Sequence, residues 1–143
     1  RLRDRAPLTA VARDLLTAAP GGRGPAAFLA AAEFKPENLA ANTARAFLGV
    51  NLDCAQCHDH PFARWTRDQF WETAAFFARV PAAGANSAAL AVPIPDTSRT
   101  ARPRLLDGRA PDLPPRVDPA TGRAALAGWV TAPGNPYFAR NAV

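Results

Sequence analysis

Proline sets the first limit on what this chain can fold into. Of its 15 prolines, ten lie beyond residue 80, and eight of those fall between Pro81 and Pro119 inclusive. A residue without an N–H interrupts helices and the interiors of sheets alike. That stretch also lacks any aromatic side chain. It reads as a connector with space for one short, edge-like extended segment at 89–94, between its own prolines. The helices and the bulk of the core must come from the residues on either side.

Before residue 80 the pattern is helical. Residues 7–19 carry Leu8, Val11, Leu15 and Leu16 at helical spacing and stop at Pro20-Gly21-Gly22. Residues 25–34 form a short Ala-rich helix around Phe28 and Leu29. Pro36 suits a first helical position, and Leu39, Thr43, Ala46, Phe47 and Val50 then share a face that fades at Gly49 to Asn51. Thr66 and Gln69 make a capping box for a helix running to about Arg79. Beyond the connector, Asp118-Pro119 opens a helix with Leu126, Trp129 and Val130 on one side, and Asn135-Pro136 opens another.

Composition narrows the function classes. Apolar residues make up 48% and charged residues 20%, as in ordinary globular domains. The net charge of +5 comes from arginines scattered through every segment, with Lys35 the single lysine. Nucleic-acid binding calls for clustered basic groups among exposed aromatics, and that footprint is missing. The uncharged stretch before Asp96 holds three prolines, a glycine, an asparagine and a serine, so it is no membrane-spanning helix. The chain has no methionine, which points to an internal piece or a processed product of a larger protein.

Both cysteines and both histidines stand together in Cys54-Ala55-Gln56-Cys57-His58-Asp59-His60-Pro61-Phe62. Four chemistries suit that concentration. C-x-x-C-H is the covalent haem signature: two thiols form thioethers and the following His58 ligates the iron. Phe47, Phe62, Trp65, Phe70 and Trp71 could then wall the haem, with Arg64 and Arg67 beside its propionates. Zinc is the second reading, with Cys54, Cys57, His58 and His60 as donors, although these donors sit closer in sequence than structural zinc ligands usually do. A redox dithiol is the third, without the strand that precedes such motifs in thioredoxin-like folds. The fourth is a local disulfide or a pair of structural thiols. Under the haem reading, the absence of Met leaves the distal iron position open or filled from outside the chain. An open iron would suit a redox enzyme with His60 as acid/base, and a closed one electron transfer.

Leu48-Gly49-Val50-Asn51-Leu52, the CAQCHDHPF segment, Trp65, and Ala74-Ala75-Phe76-Phe77-Ala78 together resemble a family of large planctomycete-type exported proteins. These carry a domain of unknown function with a CxQCHxHPFxxW core and often follow a cytochrome-c-like domain. The segments Arg104 to Gly108, Arg123 to Trp129 and Asn135 to Arg140 are similar to the start of the companion domain in that family. The resemblance implies haem attachment at Cys54, Cys57 and His58, leaves His60 and Trp65 as matching positions without a role, and implies export to the periplasm or cell envelope.

The expectation is a mainly α fragment of a larger protein. Residues 1–80 form the C-terminal part of the CxxCH-bearing domain, 81–118 the Pro-rich connector, and 119–143 the start of the companion domain with two further helices. The expected role is a c-type haem module for electron transfer or redox support. Its alternatives are a zinc-binding structural module using Cys54, Cys57 and His60, and a redox enzyme with an open iron. Expected partners are other domains of the same polypeptide and a redox protein, with neither nucleic acid nor a membrane span.

Overall fold

A computed structural model describes residues 6–59, 61, 64–80 and 88–138. The fold is mainly α, as the periodicity predicts. Helix α1 (Leu8–Leu16) turns Ala12 and Leu16 fully inward, one turn apart. It ends short of the expected Ala19 because Thr17 closes it. Both its backbone N–H (2.9 Å) and its hydroxyl (2.7 Å) donate to the Arg13 carbonyl. Helix α2 (Ala26–Ala31) is also shorter than expected. Glu33 and Phe34 sit in the left-handed region, with φ of 55° and 57°, and Lys35 is extended ahead of Pro36.

Helix α3 (Pro36–Thr43) starts on Pro36 and runs on into a π-helical turn, Ala44–Leu48. The wider turn directs Ala44, Phe47 and Leu48 into the core together. Gly49 ends it with φ of 62°, a conformation costly for residues bearing a Cβ, while Val50 N–H reaches back to the Ala44 carbonyl at 3.1 Å. A 3₁₀ turn, Asp53–Gln56, follows and carries the first cysteine.

Helix α4 (Arg67–Ala74) begins on the predicted capping box. Gln69 N–H donates to Thr66 Oγ1 at 3.2 Å and Thr66 N–H to Gln69 Oε1 at 2.8 Å. The expected continuation to Arg79 tightens into a 3₁₀ turn at Ala75–Phe77, which buries Phe76 and Phe77 completely. Arg79 then takes φ of 63° ahead of Val80-Pro81.

The connector is ordered where it is described. Strands β1 (Val92–Pro93) and β2 (Thr100–Ala101) pair antiparallel, Val92 opposite Ala101. Pro93 has no N–H to donate, so the ladder stays two residues long. Ala88 bridges Val117 through two backbone hydrogen bonds of 3.3 and 3.0 Å, and Arg79 Nη2 donates to both of their carbonyls. Helix α5 (Pro119–Val130) starts on the expected Asp118 cap, which accepts from Thr121 N–H at 2.8 Å. Asn135 caps the next helical turn by accepting from Tyr137 and Phe138 N–H at 3.0 and 3.2 Å.

One apolar cluster runs from Ala12 to Phe138 and joins both sides of the compositional break at residue 80. Helix α3 packs on α4, and α5 packs on α1 and on the 75–77 turn. Gly122 leaves space for Leu90 of the connector against α5, since a Cβ there would strike Leu90 Cδ1. Among the described residues no helix is long and apolar enough to cross a membrane.

Candidate functional site

The C-x-x-C-H segment leaves the core on an alternating rhythm. Leu52 and Ala55 are fully buried, whereas Asp53, Cys54, Cys57 and His58 face solvent. Cys54 lies within the 3₁₀ turn and Cys57 directly follows its end, still with right-handed helical backbone, and both are exposed. Both cysteines are free thiols.

Three ties hold this turn. At its entry Asp53 N–H donates to Asn51 Oδ1 at 3.0 Å, and Arg45 bridges Asp53 at 2.8 Å and Asn42 at 2.7 Å. Between the cysteines, the Gln56 carbonyl accepts from Trp71 Nε1–H at 3.0 Å and from Arg67 Nε–H at 3.4 Å. At its exit Asp59 Oδ1 accepts from Arg67 N–H at 2.9 Å, so its carboxylate stands at the electropositive start of α4. Helix α4 is thus the platform on which the motif is mounted.

His58 Nδ1 lies 2.8 Å from the Asp59 carbonyl. A carbonyl only accepts, so Nδ1 carries the proton and donates, and Nε2 is the nitrogen with the free lone pair. Nε2 has no partner among the described residues. Two accessible thiols at C-x-x-C spacing, followed by an imidazole with its Nε2 free, form a donor set that fits covalent haem attachment.

The other expected site residues fall as follows. Phe47 is 6% exposed, with its ring centroid 6.0 Å from that of Phe28. Trp65 is 8% exposed, 6.0 Å from the Tyr137 ring, with the Arg64 guanidinium 4.9 Å from its own centroid. Both aromatics belong to the core, and their rings serve the packing around the turn. Arg64 donates to the Tyr137 hydroxyl. Arg67, besides its bond to Gln56, donates through Nη2 to the Pro95 carbonyl at 2.6 Å, tying the motif to the hairpin. His60 and Phe62 lie outside the described residues. Among the described residues no three His, Cys, Asp or Glu side chains gather as metal ligands do.

Trp71, expected from the sequence only as one of the aromatics around the motif, holds it through its indole N–H. A signal was present, because a buried indole N–H needs an acceptor and the Gln56 carbonyl is one available on the motif loop.

Residues 13–82 match a family model, PSCyt2, described as a protein of unknown function (DUF1549). The matched stretch takes in α2, α3, the cysteine turn and α4, and stops where the connector begins. It supports the resemblance to a planctomycete-type, cytochrome-associated domain of unknown function. No curated protein and no solved structure matches the chain significantly.

Proposed function

We propose that this chain is a c-type haem module within a larger exported protein, serving electron transfer or redox support. Cys54 and Cys57 would hold the group by two thioethers, and His58 would face its iron through Nε2. The single observation that carries this reading is the pairing of two free, solvent-facing thiols, one in the 3₁₀ turn and one at its end, with a His58 whose Nδ1–H is engaged by its neighbour's carbonyl. When bound, the haem supplies a one-electron couple at iron.

The chain's own residues have separate tasks. Asp59 fixes the His58 tautomer through its backbone carbonyl, and its carboxylate anchors that carbonyl to the N-terminus of α4. Trp71 and Arg67 hold the peptide between the thiols. Thr66 and Gln69 keep the first turn of α4 formed, which maintains all of these contacts. On this reading the module works on the exported side of the inner membrane, where thioether attachment at C-x-x-C-H takes place, beside other domains of the polypeptide and a redox partner.

The test is expression with a c-type maturation system, followed by a visible spectrum and a pyridine haemochrome. A Soret band and one covalent haem per chain are expected, lost in the Cys54→Ala, Cys57→Ala variant. Absence of the band with stoichiometric zinc would refute the haem reading and favour the Cys54, Cys57 and His60 zinc module. Cyanide or carbon monoxide binding would mark an open iron and hence a redox enzyme.

A further inference from the structure

A second feature lies away from the cysteines. A cleft of about 680 Å³ opens between Arg64 and Gln69 on one wall and the 106–109 turn on the other, with Trp129 and Tyr137 alongside. That volume is within the range of small-molecule pockets, and Cys54, Cys57 and His58 do not line it.

The cleft is built from engaged groups. Asp107 accepts from Arg109 N–H at 3.0 Å, Arg109 Nε–H at 2.8 Å and Trp129 Nε1–H at 2.9 Å. Burial pushes its carboxyl up, but the Arg109 and Trp129 hydrogen bonds outweigh that and hold it below the usual carboxylate value. The Trp129 indole is therefore pinned by its N–H while its half-exposed ring lines the cavity. Opposite, Arg64 donates to the Tyr137 hydroxyl and rests on Trp65.

The hydrogen-bond inventory is lopsided. The side-chain acceptors are committed within the protein: Asp107 to Trp129 Nε1–H and to Arg109 through its backbone N–H, Nε–H and Nη2, Gln69 Oε1 to Thr66 N–H, and Asn135 Oδ1 to the next helical turn. The side-chain groups left over are donors, namely the N–H groups of Arg64 not given to Tyr137, the edge of the Arg109 guanidinium turned away from Asp107, and the Gln69 amide. The lining carries two guanidinium charges against one carboxylate. Such a site suits a ligand rich in acceptors and negatively charged, and a fixed indole suits a ring.

We propose that this cleft binds a small ring-bearing carboxylate, with the carboxylate at the Arg64 and Arg109 guanidinium groups and the ring against Trp129. Aromatic acids and sugar acids share that chemistry, and the assay separates them.

The 143-residue chain, without haem, is titrated with benzoate and with a hexuronate while the Trp129 Nε1–H and arginine Nε–H signals are followed by NMR. A saturable shift at these signals with millimolar probe is expected, and whichever acid produces it names the source. Benzyl alcohol and a neutral hexose should bind about tenfold more weakly. Gly134 lines the cleft outside the left-handed region, and a Cβ there meets nothing within 4 Å, so Gly134→Leu starts its side chain in open space at the cleft. Gly134→Leu and Arg64→Gln should each weaken binding about tenfold with the thermal midpoint of Gly134→Leu unchanged. The proposal is overturned if neither acid gives a saturable shift, if neutral analogues bind equally, or if both variants bind like the parent. None of these outcomes depends on haem, so the test stands apart from the reading of Cys54, Cys57 and His58.

Discussion

The Gln56 carbonyl is the point at which the motif can be challenged most directly. It accepts from two side chains of α4, Trp71 Nε1–H at 3.0 Å and Arg67 Nε–H at 3.4 Å. Trp71→Phe removes the nearer donor and should cost about 1 kcal/mol for a net hydrogen bond. The smaller ring at a site only 5% exposed adds about 1 kcal/mol of lost burial. Arg67→Met removes the farther donor and the bond to Pro95, for about 1 kcal/mol. In either single variant the carbonyl keeps one donor. In the double variant it keeps neither, and a half-buried acceptor is left to whatever water can reach it. The double variant should therefore lose about 1 kcal/mol more than the sum of the singles. The Pro95 bond and the ring area are lost equally with or without the other change, so both cancel from the cycle. The assay is urea unfolding of all four proteins by circular dichroism. Additivity to within about 0.4 kcal/mol would show that the two donors do not share this carbonyl's stability and would refute the reasoning.

Other perturbations follow from the same contacts. Gly122→Ala brings a methyl group against the Leu90 side chain, and the packing cost of about 1–3 kcal/mol, offset by about 1 kcal/mol of helix propensity, should leave a net destabilisation of about 0–2 kcal/mol in urea unfolding. Thr66→Ala removes half of the capping box and should cost about 1 kcal/mol, a change that Thr66→Ser largely avoids. Asp118 is held below the ordinary carboxylate value by the Thr121 hydroxyl and N–H. Its contribution is present above the unfolded value and lost as pH falls through the lower folded value, so Asp118→Ala should flatten the acid limb of stability against pH. Glu72 is shifted the other way: burial raises its carboxyl and Asp68 adds to this, while Arg104 opposes. Its favourable contribution is present below the unfolded value and fades as pH rises through the raised folded value, so Glu72→Gln should lessen that loss in the same titration.

The likeness to the PSCyt2 family model covers 13–82, but the described fold does not divide there. The buried Arg123 of α5 donates to the Ala18 carbonyl at 2.9 Å, just past the end of α1. Tyr137 meets Arg64 and Trp65. Residues beyond the connector thus complete the packing around α1 and brace the segment that follows the cysteines.

Helix starts were legible in the sequence because their signals are local. Pro36, Thr66 with Gln69, Asp118-Pro119 and Asn135-Pro136 each satisfy or remove N–H groups within three residues, and the structure has each start in place. The C-x-x-C-H spacing is short-range information of the same kind, and the structure leaves Cys54, Cys57 and His58 exposed. Helix ends were less legible. Thr17, Glu33 and Phe34 close helices through a hydroxyl bond and left-handed conformations, and Ala78 ends the 75–77 turn in an extended one, none of which hydrophobic periodicity encodes. What only the tertiary structure decided were contacts between residues distant in the chain: Trp71 and Arg67 on Gln56, Arg79 on the 88–117 bridge, and Asp107 on Trp129. Those pairings depend on how α3, α4 and α5 pack against one another. The sequence by itself therefore determined which side chains form the thiol and imidazole set and where the helices begin, and packing decided which donors hold that set and where a second cleft opens.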